Sequence, residues 1–163
     1  MTDLLAEAGL SSGAVYNYFS SKEDMIVAIA EENIGQVISV LRESATGAHR
    51  DSPGAALANV LDLIRARHID NEFAAITVMV WSEALRNPAL AAQLTAMRSE
   101  VQALYGPLAT DIVLPEGMSA ESFATVLGSI SAGFILQLAE FGPDAAEDLP
   151  ATVRALWPPA KAS

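Results

Sequence analysis

The chain is punctuated by proline. Ser52-Pro53, Asn87-Pro88, Gly106-Pro107 and Gly142-Pro143 each set a capping residue or a glycine before a residue with no backbone N–H. Proline is tolerated in the first turn of a helix and stops one further in, so these dipeptides mark where helices begin and end. Between them the apolar residues recur at steps of three and four, and no segment alternates as a strand would. That pattern predicts an all-α fold.

The segments follow from this punctuation. Ser21-Lys22-Glu23-Asp24 reads as a capping box with Asp in place of Glu or Gln at its third helical position, and it opens a long helix to about Ser44 with Met25, Ile26, Ile29, Val37, Ile38 and Leu41 on its apolar side. Gly35 lies in its middle, either as a close helix contact or as a flex point. Ser52-Pro53 opens the next helix, with Leu57, Leu61, Ile64 and His68 at helical spacing. Residues 72–86 form another, and Asn87-Pro88 restarts the chain. From 88 onward the residues Leu90, Leu94, Met97, Val101, Leu104 and Leu108 make a heptad seam, too short for a free coiled coil and therefore packed within the chain. Ser119 caps a helix over 120–141, in which Gly128, Ser129, Ala132 and Gly133 form a stripe of small residues. A last segment, 144–157, has its helix start delayed to 150 by Pro150.

Composition narrows the class. At 163 residues with 52% apolar content, the chain is long enough for a head joined to a larger body. It has no cysteine, which excludes disulfides and thiolate metal sites. No uninterrupted apolar run reaches bilayer length and no signal peptide opens it, so the expectation is a cytoplasmic protein without a membrane partner. Catalysis is not expected. His49 and His68 are the histidines, and there is no metalloprotease pair, nucleophile elbow or phosphate loop. The run His68-Ile69-Asp70-Asn71-Glu72 lacks a second histidine at ligand spacing, so neither metal nor cofactor is expected.

The N-terminal stretch is where chemistry concentrates. Gly9 ends a short amphipathic segment in which Leu4, Leu5 and Ala8 face inward. Ser11 caps a second segment, in which Val15 and Phe19 share a face that can bury against Leu4, Leu5 and Leu10. Two short helices joined by a glycine turn, the second with a polar outer face, have helix-turn-helix geometry.

The string Ser11-x-Gly13-x-x-Tyr16-x-Tyr18-Phe19-x-Ser21-Lys22-Glu23 closely resembles the helix-turn-helix end of TetR-family transcriptional regulators, over roughly residues 3 to 29. The resemblance implies a DNA-binding head, here residues 1–44 with the connector helix, and a helical ligand-binding and dimerisation body, residues 45–163. It implies that Tyr16 and Lys22 grip phosphates and that Ser11, Ser12, Gly13, Ala14 and Asn17 form the surface entering the major groove, Asn17 carrying the amide able to read adenine. Tyr18 resembles an aromatic flanking the phosphate contacts, and packing in the head is an equal reading of it. Proteins of this family begin with a further helix, often after a basic arm, and the expectation is that this first helix is missing here. Residues 1–45 hold two basic and seven acidic residues, so the head itself is acidic.

For the body, the resemblance implies an apolar pocket between the connector and the helices at 54–105. Candidate ligand-binding residues are His68, Met79, Trp81, Met97, Tyr105, Phe134 and Gln137. Each also reads as ordinary core or seam, and His68 as a partner of its helix dipole. The reading is a ligand-responsive regulator, most often a repressor in this family, that binds a double-stranded DNA operator and a small-molecule effector. It would act as a homodimer through 120–141 and 144–157. The alternative is a helical dimeric small-molecule-binding module without DNA binding.

Overall fold

The structure is a computed structural model and describes residues 19–46, 52–105, 114 and 116–157. The helices expected within 1–18, the loop 47–51 and the tail 158–163 lie outside these residues. The described chain is six helices: α1 (Lys22–Thr46), α2 (Pro53–Asn71), α3 (Phe73–Ala84), α4 (Pro88–Tyr105), α5 (Ala120–Phe141) and α6 (Leu149–Leu156). The fold is all-α.

The caps do what the sequence asks of them. Ser21 Oγ accepts from the Asp24 N–H at 3.0 Å, Ser52 Oγ from the Ala55 N–H at 3.1 Å, and Ser119 Oγ from the Ser122 N–H at 3.1 Å. Asn87 Oδ1 accepts from the N–H groups of Ala89 and Leu90, opening α4 ahead of Pro88. Pro150 sits in the first turn of α6, so the final helix starts at Leu149. The 72–86 helix is shorter than expected, because Glu72 takes a left-handed conformation (φ 56) and gives its N–H to the His68 carbonyl. That closes α2 and forces α3 to begin at Phe73.

Two apolar clusters hold the helices together. In the larger, Val40 and Leu41 of α1 meet Leu57, Leu61 and Ile64 of α2, Phe73 of α3, Leu127, Phe134 and Leu138 of α5, and Val153 of α6. In the smaller, Ala30 of α1 meets Val80 of α3 and Leu90 of α4, flanked by Ile26, Ile76 and Leu94. Burying each such side chain is worth about 1.5–3 kcal/mol before chain entropy is subtracted. The seam read from α4 therefore splits: Leu90 and Leu94 serve the smaller cluster, and Val101 the edge of the larger.

One glycine departs from its expected role, and another takes it up. Gly35 is exposed, and a Cβ there would meet nothing within 4 Å, so the close-contact reading is wrong. The close approach occurs at Gly54, where a Cβ would lie 2.5 Å from the Trp157 carbonyl oxygen and 2.6 Å from that of Val153. Gly54 is what lets α6 lie directly on the start of α2.

Helix α5 meets the length and mean hydropathy (1.6) of a membrane span, although its apolar run is broken by Ser129, Ser131 and Gln137. The uninterrupted-run criterion passed over it. Its side carrying Phe123, Leu127, Phe134 and Leu138 is buried in the core, and core packing accounts for the apolarity of that side.

Candidate functional site

Helix α1 is 25 residues, about 37 Å at the usual rise per residue, and its two ends belong to different surroundings. Near its start, Ile26 and Ala30 pack on α3 and α4, and further along Val40 and Leu41 enter the main core. Between these, Asn33 donates from Nδ2 to Thr77 Oγ1 at 2.9 Å, and the Thr77 hydroxyl donates to the Phe73 carbonyl at 2.8 Å. Both side chains are buried, so α1 is tied to α3 by a polar contact that water does not compete for.

A cavity of about 300 Å³ lies beside that contact, within the size range of small-molecule sites. Val37, Val40 and Leu41 of α1 form one wall, Val60 and Ile64 of α2 and Phe73 and Trp81 of α3 the next. Met97, Arg98, Val101 and Gln102 of α4 and the stretch from Ala124 to Ile135 of α5 complete it. Gly128 is what opens the space between α4 and α5: a Cβ there would lie 3.6 Å from Val101 Cγ1, so any larger side chain would occupy the cavity.

The polar groups of the lining divide into two kinds. The hydroxyls of Thr125, Ser129 and Ser131 donate to the carbonyls of Glu121, Thr125 and Leu127, one turn back on their own helix. Their hydrogens are engaged, and they offer the cavity only acceptor lone pairs. Arg98, Gln102 and Trp81 are the lining residues whose side-chain N–H donors have no partner among the described residues, and of these Arg98 is the charged one.

The residues singled out from sequence are dispersed. Trp81 and Met97 line the cavity. Phe134 is fully buried in the main core outside the lining, Gln137 is exposed, and Met79 is 69% exposed on the outer side of α3. His68 borders a separate shallow groove with Glu72, Leu138 and Gly142, and its Nδ1 is buried with no hydrogen-bond partner among the described residues. Ser11, Ser12, Gly13, Ala14, Tyr16, Asn17 and Tyr18 lie outside the described residues, as do the side chains of Lys22 and Tyr105. Sequence reasoning passed over Arg98, Gln102, Thr125 and Ser129. Arg98 and Gln102, four apart and flanking the seam residues Met97 and Val101, carried the one available signal.

Comparison with known proteins bears on the N-terminal end of α1. Residues 1–29 match the family of bacterial regulatory proteins, tetR family. This match supports a TetR-family regulator. No curated protein and no solved structure matches it. The matched segment is the helix-turn-helix portion of such regulators and supports a DNA-binding transcriptional regulator. The matched segment runs eight residues into α1, so its C-terminal end and one wall of the cavity are carried on one continuous helix.

Proposed function

We propose that the protein is a ligand-responsive TetR-family repressor, a cytoplasmic homodimer released from its operator when a small molecule fills the cavity. The observation that carries this reading is α1 itself. Its first turns belong to the matched DNA-binding segment, and Val37, Val40 and Leu41 further along it line the cavity. A ligand that fits one position of α1 better than another shifts the population of head orientations by its differential affinity.

In this reading residues 1–44 form the head and 45–163 the body. Ser11, Ser12, Gly13, Ala14 and Asn17 face the major groove, and Tyr16, Tyr18 and Lys22 hold the phosphates. Trp81 and Met97 contact the effector. The dimer forms through α5 and α6. In support, α5 carries a stripe through Val126, Ser129, Gly133 and Leu136 that is exposed in the single chain, with Leu156 of α6 also exposed. Two-fold pairing there sets two heads against half-sites about 34–36 Å apart.

The test is a salt-dependent titration against the promoter region flanking the protein's own gene. Sequence-selective binding whose affinity falls steeply with salt, and falls again when a cavity ligand is added, is the expected result. Binding that is unaffected by any ligand occupying the cavity would remove the ligand-responsive part of the reading. Absence of selective binding by an intact helical dimer would favour the ligand-binding module without DNA recognition.

A further inference from the structure

The rim of the cavity holds a cation that the protein leaves unpaired. Arg42 pairs with Glu100, Arg65 with Asp144 and Glu147, Arg67 with Glu43, Arg86 with Glu83, and Arg154 with Asp62. Among the described arginines, Arg98 is the one with no carboxylate partner, in a chain of twenty acidic residues and net charge −11. Chance does not favour that outcome, because acidic groups outnumber basic ones about two to one.

The surroundings of Arg98 are equally selective. Among the described residues no carboxylate lines the cavity. Gln102, one turn along α4 from Arg98, also makes no hydrogen bond to a described residue. Because the hydroxyls of Thr125, Ser129 and Ser131 have given their hydrogens to the α5 backbone, the donors lining the cavity are the Arg98 guanidinium, the Gln102 amide and the Trp81 indole N–H, and of these Arg98 alone is charged. Behind them the walls are apolar: Val40, Val60, Ile64 and Phe73.

We propose that the cavity takes an amphiphilic carboxylate, its apolar body among the α1, α2 and α3 side chains and its head on Arg98 and Gln102. This rests on the reading above that the cavity is the effector site. A guanidinium fork matches a carboxylate in geometry, and a carboxylate supplies the negative charge and the paired acceptors that Arg98 lacks. A cationic amphiphile would meet Arg98 as a like charge, and a neutral one would leave Arg98, which is exposed, to solvent alone.

The experiment is calorimetric titration of the full chain with decanoate, decanol and decyltrimethylammonium, which share a tail and differ in head charge. Decanoate should bind about fivefold tighter than decanol, with a preference that shrinks as salt rises, and the cation should bind weakest. Arg98→Gln should weaken decanoate to the level of decanol while leaving decanol unchanged, and Arg98→Glu should turn the preference toward the cation. Equal binding of decanoate and decanol by the wild type, or an Arg98→Gln variant that loses both alike, would overturn the assignment of the head group and leave the cavity as a neutral apolar site. Binding of none of the three would overturn the cavity reading along with it.

Discussion

Asn33 and Thr77 meet at 2.9 Å inside the protein, 3% and 1% exposed, and theirs is the buried side-chain hydrogen bond that joins α1 to α3. It lies between the two apolar clusters, where α1 passes from the head end to the cavity wall. Thr77→Val would keep the shape and remove the acceptor, stranding the Asn33 amide. The expected cost is about 1–3 kcal/mol, read as a lower denaturation midpoint at unchanged slope. Adding Asn33→Leu to Thr77→Val should recover part of that loss, and a double-mutant cycle measures the coupling. Strictly additive losses would mean that the contact holds no energy.

Gly35 and Gly54 should respond in opposite directions to alanine. At Gly35 the new methyl meets open space in mid-helix, and stability should rise by about 0.5–1 kcal/mol. At Gly54 it would collide with the backbone of α6, and stability should fall by about 1–3 kcal/mol as α6 is pushed off α2. Thermal unfolding of the two variants side by side makes the comparison.

Gly128 controls the volume between α4 and α5. Gly128→Ala adds an ordinary contact with Val101 and should leave ligand affinity within about twofold. Gly128→Leu projects into the cavity and should reduce binding of its ligand by about tenfold or more, with helical content intact by circular dichroism. Equal binding by both variants would show that the ligand sits elsewhere.

The exposed stripe of α5 predicts the effect of a charge placed on it. Leu136 is 48% exposed, so Leu136→Glu should not disturb the core. In sedimentation experiments it should convert a dimer to a monomer, since an unpaired carboxylate in a two-fold interface meets its own copy. A dimer unchanged by this substitution would place the interface away from α5.

At the DNA end, Tyr16→Ala and Lys22→Ala should weaken operator binding without dissociating the dimer. For Lys22→Ala the loss should be nearly uniform across sequences, and the slope of log affinity against log salt should fall by about one. Unchanged binding by both variants would remove these residues from the interface.

What the sequence determined by itself is everything governed by local rules. Ser21, Ser52, Asn87 and Ser119 cap the helices the pattern predicts, because a cap needs only a side-chain oxygen within three residues of a free N–H. The tetR-family segment is equally local, many spaced positions within residues 1–29. What only the tertiary structure decided depends on which helices cross. Gly35 and Gly54 look alike in one dimension, and only the docking of α6 on α2 makes the second indispensable. Phe134 and Trp81 are both aromatics at helical spacing, yet one fills the core and the other borders a cavity. Arg98 reads as one more surface charge until the fold pairs every other described arginine with a carboxylate and leaves this one beside an apolar hollow. Spacing along a helix fixes which face a residue occupies; it does not fix what that face meets, and a site is made by what it meets.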